Sequence, residues 1–486
     1  MSDERQVIAY FNRLFHPRAI AIIGASDNPV RGSSGFLQAL KEMGFPKLYP
    51  VNPYVENAMG MKCYPNIQDV PEEVDLAIIG VPRQLVPKAL EDCIKKGVRF
   101  AHIFTAGFSE TGRDEGKELE YQLVNVARGR IRLIGPNCMG VHCPGSRISW
   151  ARHHKTISGD VALISQSGGH ASHFIELACE KAMGISKVIS VGNSSDLRMS
   201  DFLEYMLADP ETNIIGLYIE GFPQNGGRSF YDLIKGVNSH KPVVVWKAGK
   251  TLDGARAASS HTASIAGSYD VFLSAAHQLG LIPVSSMEEM IGLILALKAL
   301  PLPRGPRVGV VGIGGGQSVA ITDSLSLLGL EVPILEDETQ KRITQITTES
   351  GTMVKNPVDP AIASLDPQNI KDLLLIMAED KNIDAILFHQ NVDFLLAWKE
   401  RGADIDLERI KEDLGDAIDG VRKNSRKPIL CAFTSRSDAI EVFGEWSSIR
   451  DTFQEKGIHV YPSVEKAGRV LSSLYRYAQS LNRLNN

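Results

Sequence analysis

The sequence predicts an α/β protein of parallel, doubly wound sheets, and three observations carry that expectation. Short apolar runs alternate with longer amphipathic stretches nearly from end to end, the rhythm of βαβ units. Those runs are continuously apolar, as strands covered on both faces require. Small-residue turns follow several of them, at the strand ends where ligands of such sheets gather.

At 486 residues the chain is too long for one core, and at roughly 100–200 residues per domain it should hold about three. A first block over 1–145 has expected strands at 19–24, 48–51, 74–81, 100–104 and 132–134, with helices at 35–43, 84–95 and 114–127. That order is Rossmann-like. A second block over 146–300 offers strands at 161–165, 187–191, 214–219 and 243–247, and a helix at 287–300. The prolines and glycine of 301–306 cannot continue that helix and read as a linker. The third block, 301–486, has expected strands at 308–312, 385–389 and 428–432 and a helical tail from Val464. Residues 160–170 and 307–317 align without a gap, each as strand, glycine-rich turn and helix start.

Charge and composition exclude several classes. A net charge of −5 without a basic stripe argues against nucleic acid and against anionic lipid as partners. Apolar runs such as 74–81 and 290–300 are too short to span a bilayer. The start, Met1-Ser2-Asp3-Glu4-Arg5, leads into an amphipathic stretch and not a signal core. Cys63, Cys93, Cys138, Cys143, Cys179 and Cys431 form no CxxC pair, which fits reduced thiols in a cytoplasmic protein.

Three turn systems carry candidate chemistry. The first follows the opening strand, where Gly24, Ser26, Asn28, Arg31 and Ser33 suit a diphosphate and a ribose phosphate. Asn52 stands where an NAD site would place a carboxylate, so coenzyme A or another adenine nucleotide fits better. Turns at Pro82, at Thr105-Ala106-Gly107 and at Asn137 end strands of the same sheet and would line one crevice. The second system is Ser167-Gly168-Gly169 and Gly314-Gly315-Gly316, two helix starts whose unpaired N–H groups and positive dipole ends attract phosphate. The third is His261 among small residues and hydroxyls, a nucleophile near neutral pH if an acceptor holds its second ring nitrogen. Glu220, closing the strand 214–219, is a candidate acceptor.

Other candidates are weaker. His153-His154 and the pair His170/His173 lack acidic or cysteine partners nearby, so no metal is expected. Ser167 lacks the GxSxG frame of a nucleophile elbow. Asn356-Pro357-Val358-Asp359 reads as a structural turn that can also line a phosphate site.

Taken together, these segments resemble the CoA-ligase superfamily, and above all the α-type chains of ADP-forming acetyl-CoA synthetases, relatives of the succinyl-CoA synthetase α subunit. The matching motifs are Ile23-Gly24-Ala25-Ser26, Tyr49-Pro50-Val51-Asn52-Pro53, Gly135-Pro136-Asn137-Cys138, Ser165-Gln166-Ser167-Gly168, Val191-Gly192-Asn193, Tyr218-Ile219-Glu220-Gly221, Ser260-His261-Thr262 and Asn356-Pro357-Val358-Asp359. The resemblance implies a Rossmann-like CoA-binding domain followed by two flavodoxin-like ligase domains. It implies that acyl-CoA and phosphate give an acyl phosphate, that His261 takes the phosphoryl group, and that Glu220 orients it. A nucleoside diphosphate, ADP or GDP, with magnesium would accept the group on a partner ATP-grasp β subunit, in an α2β2 assembly. No ATP-grasp domain follows Asn486, so that site is expected on another chain. His170 stands where the family often has a small or aliphatic residue, and Ala263 and Ile265 replace the usual Gly and Leu beside the histidine. Two readings compete: a non-catalytic CoA or acyl-CoA sensor that keeps the fold, and an NAD-linked oxidoreductase, disfavoured by the missing acidic residue after the second strand, where Asn52 stands.

Overall fold

The computed structural model describes residues 2–28, 32–152, 156–223, 226–236, 241–262, 268–312, 314–347, 352–361, 366–400, 406–437 and 439–484. The chain divides into two compact units, Met1–Met290 and Ile291–Asn486. Among the described residues the strands form three sheets and one hairpin.

The first sheet, in the unit Met1–Met290, comprises β1 (Ile20–Ile23), β2 (Leu48–Val51), β5 (Leu76–Ile79), β6 (Phe100–Ile103) and β7 (Arg132–Ile134), in the order β2-β1-β5-β6-β7. The hairpin is β3 (Asn57–Ala58) with β4 (Met61–Lys62). All pairings in the first sheet are parallel. β1, β5 and β6 are buried along their whole length, which accounts for their unbroken apolar runs. The helix Val86–Lys96 stops at Gly97, whose left-handed backbone lets its N–H return to the last turn. The helix Asp114–Ala127 opens with Asp114 and Glu115 at its positive end.

The second sheet of this unit runs β13-β12-β11-β9-β10-β8, with β8 (Gly140–His142), β9 (Ser158–Ser165), β10 (Ile185–Ser190), β11 (Ile214–Ile219), β12 (Val243–Lys247) and β13 (Ile282–Val284). β8 pairs antiparallel to β10, and the other pairings are parallel. Residues 140–142 lie inside the first block on a sequence reading, yet their backbone extends the second sheet. The amphipathic start forms the helix Ser2–Phe15, whose Phe15 ring stacks on Tyr205 at 5.0 Å.

In the unit Ile291–Asn486 the sheet is β14-β15-β16-β17, all parallel, with β14 (Val308–Gly312), β15 (Ala385–Asn391), β16 (Ile429–Thr434) and β17 (Val460–Tyr461). β14 is an edge strand. Its open side is covered by the segment around Val358, whose N–H donates to Val310 O and whose carbonyl accepts from Gly312 N. The core here is apolar and continuous, from Val311 and Ile386 through Phe433 and Phe453. The helix Met287–Ala299 ends before Pro301, as the proline requires.

Candidate active site

At the carboxyl end of β1 the chain turns through Gly24, Ala25 and Ser26 before the helix Ser34–Glu42. Gly24, at φ +90, passes close to Gly80, and a methyl group on Gly80 would collide with the Ser33 backbone. The glycines therefore let two strand ends approach. Ser33 is fully buried and donates its hydroxyl to Ile23 O at 2.8 Å. Ser26 Oγ meets Ser34 Oγ at 3.0 Å, and Asn52 Nδ2 donates to Ala25 O at 2.7 Å. Asn28 is exposed on the turn, and Arg31 lies outside the described residues.

The other strand-end turns meet around the same edge. Pro82 opens a short 3-10 turn, and Thr105 donates its hydroxyl to Val81 O at 2.7 Å. Ala106 is exposed, and Gly107 gives its N–H to Glu110 Oε1 at 2.5 Å. Asn137 donates its N–H to Thr105 O and its amide to Asn193 Oδ1. Asn193 Nδ2 in turn reaches Glu110 Oε2 at 2.6 Å and Glu120 Oε2 at 2.8 Å. One amide thus ties the first sheet's turns to a turn of the second sheet.

On the second sheet, Ser167 caps the helix Gly168–Glu180 by accepting from His170 N at 3.3 Å. Ser165 Oγ fixes the same turn, donating to Ser167 O at 2.7 Å. The next strand end holds Glu220, which is 7% exposed. Gln166 clamps its backbone: Oε1 accepts from Glu220 N at 2.5 Å and Gly221 N at 3.1 Å, while Nε2 donates to Gly221 O at 2.8 Å. Lys247, 4% exposed at the end of β12, donates to Glu220 O at 2.9 Å and Ala248 O at 2.5 Å. Burial lowers the Lys247 ammonium below its ordinary value, with Glu220 opposing. Tyr218 is pushed up by burial and then by the charge and hydrogen bond of Glu220. His170 packs against Tyr218 and Trp246, with ring centroids 4.3 and 4.7 Å away. Burial lowers this imidazole too, again opposed by Glu220.

His261 lies near the carboxyl end of the helix Leu252–Thr262, where the sequence alone places a loop of small residues. Its side chain, and the segment 263–267 after it, fall outside the described residues, as do His153 and His154. His173 lies in the helix opened by Ser167.

In the unit Ile291–Asn486, Gly314 precedes the helix Gly315–Leu327 at φ +105, and its N–H donates to Asp359 Oδ2 at 2.9 Å. Gly315 and Gly316 form the first turn of that helix. Asn356 serves the backbone, accepting from Val310 N and donating to Val308 O and Pro333 O. The two turns are not equivalent: β9 has strand neighbours on both sides, whereas β14 stands at an edge.

Sequence reasoning missed Gln166, Lys247 and the ring pair Tyr218/Trp246. The available signals were a glutamine inside a small-residue turn and a lysine closing an apolar strand. No group of three or more His, Cys, Asp or Glu side chains is placed to hold a metal among the described residues, and no described helix is long and apolar enough to cross a membrane.

Comparison with known proteins identifies the modules that carry these turns. Residues 18–144 match a CoA binding domain, and residues 158–297 match a succinyl-CoA ligase like flavodoxin domain. The α subunit of ADP-forming acetate–CoA ligase II of Pyrococcus furiosus is 38% identical, over 77% of this chain and 80% of that one. The α subunit of ligase I of the same organism is 33% identical, over 96% of this chain and 97% of that one. The dinucleotide forming acetyl-coenzyme A synthetase 1 of Ca. Korarchaeum cryptofilum, solved with phosphate and ADP, superposes with a TM-score of 0.83 at 33% identity. That match covers 98% of both chains. With its α/β fold, its CoA-binding and flavodoxin-like modules and these relatives, the chain belongs to the ADP-forming acetate–CoA ligase family, as an α-type catalytic subunit.

Proposed function

We propose that the chain carries the acyl and phosphoryl half of the ligase reaction, with His261 as the phosphoryl carrier. A phosphate oxygen attacks the thioester carbonyl, the C–S bond breaks, and CoA leaves as a thiolate that takes up a proton. An imidazole nitrogen of His261 then attacks phosphorus, and the carboxylate leaves as the P–O bond to the acyl group breaks. The terminal oxygen of ADP finally takes the phosphoryl group and frees the imidazole; the reverse sequence activates a carboxylic acid.

In this reading Glu220 accepts the second imidazole N–H and stabilises the cation formed on phosphoryl transfer. Ser167, Gly168 and Gly169 offer one cradle and Gly314, Gly315 and Gly316 another, with catalysis resting on positioning and charge. CoA would lie along the first sheet's edge, against Gly24, Ser26, Asn28, Asn52, Pro82, Thr105, Ala106, Gly107 and Asn137, with Arg31 beside its phosphates. Ser33, whose hydroxyl is committed to Ile23 O, would shape that turn. The small residues there and the seryl helix start suit a diphosphate. We assign 1–145 to CoA binding, 146–300 to the phosphohistidine module and 301–486 to a second ligase module. ADP and magnesium would bind an ATP-grasp β subunit, in an α2β2 cytoplasmic enzyme.

The observation that carries this reading is Glu220. It is a buried carboxylate whose backbone is clamped by the residue that directly precedes the Ser167 helix start. Incubation with acyl-CoA and labelled phosphate, with partner chain and nucleotide supplied, should place acid-labile label on His261. Label that never appears there, or a His261→Ala enzyme with undiminished turnover, would sink the proposal.

A further inference from the structure

We propose that Arg436 and Asn391 complete a phosphoryl-binding site at the start of the helix Gly315–Leu327, with Gln317 and His389 positioning Arg436. The inference rests on the reading of Gly314–Gly316 as a phosphate cradle and names the side chains that give it charge.

The site gathers at the carboxyl ends of β14, β15 and β16. The helix geometry leaves the N–H groups of its first turn without intrahelical acceptors. Asp359 takes the one on Gly314. A methyl group on Gly316 would meet nothing within 4 Å among the described residues, so packing against them does not explain that glycine. Close approach of a ligand to the backbone does.

Arg436 Nη2 donates to Gln317 Oε1 at 2.9 Å. A guanidinium only donates, so the amide oxygen of Gln317 must face it and the amide nitrogen must face the other way. That nitrogen lies 3.3 Å from His389 Nε2, and Thr434 Oγ1 lies 2.9 Å from the same ring atom. Nε2 of His389 is therefore the acceptor and Nδ1 carries the proton. His389 is fully buried, and burial together with the charge of Arg436 pushes its imidazole down to about 4. The ring stays neutral and keeps accepting at physiological pH, which fixes Gln317 and through it Arg436.

On this face two buried donors have no acceptor among the described residues: His389 Nδ1, beside Gly312 at the foot of the turn, and Asn391 Nδ2, on a residue 5% exposed. Two residues apart on β15, they share the sheet face that meets Gln317 of the helix. Buried donors of this kind call for an acceptor-rich ligand. Arg436 is exposed, and among the described residues no carboxylate stands within ion-pairing distance of its guanidinium. Its remaining N–H groups match an oxyanion such as a phosphoryl group. Asp393 Oδ2 accepts the backbone N–H of Arg436 at 2.8 Å, as Asp359 Oδ2 accepts that of Gly314, so each carboxylate at this edge is engaged by a backbone donor.

The test varies phosphate in acyl-CoA cleavage by the full chain with its nucleotide-binding partner. Arg436→Ala should raise the apparent KM for inorganic phosphate about tenfold or more, the loss of one charge-assisted hydrogen bond, and leave the KM for acyl-CoA unchanged. Arg436→Lys should restore part of it. Asn391→Leu should raise the phosphate KM as well, while Asn391→Asp, adding a like charge, should raise it further. An Arg436→Ala enzyme with unchanged phosphate KM, His261 still being labelled, overturns this inference and leaves the proposed function standing. Loss of labelling at His261 in the unaltered enzyme overturns the proposed function instead.

Discussion

Gln166 illustrates how one side chain can set the geometry of a distant strand end. Its amide accepts two N–H groups and donates to one carbonyl of the strand end that presents Glu220, 54 and 55 residues away in sequence. Gln166→Leu removes the oxygen that accepts both N–H groups while roughly preserving volume. Stranding buried N–H groups costs about 1–3 kcal/mol each, so urea unfolding should show a loss of about 2–4 kcal/mol after partial relaxation. Phosphorylation of His261 should slow as well, because Glu220 loses its register. The place of Glu220 was legible, since it closes an apolar run that forms β11. Gln166 and Lys247 were not, because their partners are chosen by sheet order, which no local pattern encodes.

Elements repeat a device that sequence inspection passed over. Arg18, just before β1, binds Asp75, just before β5, through its backbone N–H, Nε and Nη2, all at 2.9 Å. Arg307, before β14, binds Asp384, before β15, through the same three groups. Each clamp pins the amino ends of two neighbouring parallel strands in register. Burial works to raise both carboxyls, but their arginine partners prevail and hold them below the ordinary aspartate value. A depressed folded-state value means stability that is present above the unfolded value and is lost as pH falls through the folded one. Acid unfolding of Asp75→Asn and Asp384→Asn variants should therefore show a weaker dependence on pH below about 4 than the parent. At pH 7 each should cost about 1–3 kcal/mol, and an unchanged acid limb would refute the clamp.

The two glycines that open the helix Gly168–Glu180 separate packing from ligand approach. A methyl group on Gly168 would stand 2.8 Å from Met139 Cγ, whereas one on Gly169 would meet only Ser167 Oγ at 3.8 Å. Gly168→Ala should lose about 1–3 kcal/mol by overpacking. Gly169→Ala should keep stability within about 1 kcal/mol of the parent, yet raise the phosphate KM. A Gly169→Ala enzyme with normal phosphate dependence would mean that this first turn meets no anion. The long strands and the helices Gly168–Glu180 and Gly315–Leu327 were readable from apolar runs ended by glycine. β8, β13 and β17, of three residues or fewer, were not: such runs are too short to display a period, and unlike the three-residue β7 none is closed directly by a glycine.

At the scale of the molecule, the succession of three sheets along the chain was legible while the membership of each sheet was not. The antiparallel β8 shows why: it follows the last turn of the first sheet but extends the second. Pairing of this kind is decided by long-range contacts, and the same contacts bring Asn193 of the second sheet's turn to Glu110 and Glu120. The edge carrying the CoA-binding turns is thus tied to the turns that precede Glu220, and both lie in the unit Met1–Met290.

That placement separates the chemical steps in an experiment. If thioester cleavage needs only this chain's own residues, acyl-CoA and phosphate should release free CoA without any nucleotide. Released thiol then rises to the equilibrium set by acyl phosphate, while labelled phosphate accumulates on His261 to about one per chain, as a stable covalent carrier requires. ATP should appear only after ADP and an ATP-grasp chain are added, and its amount should match the label lost from His261. His261→Ala breaks the sequence at one point: thiol release should persist, while protein label and ATP should both vanish. If ATP formed at the parent rate without His261, the phosphoryl group would pass directly from acyl phosphate to ADP, and Glu220 would orient no carrier.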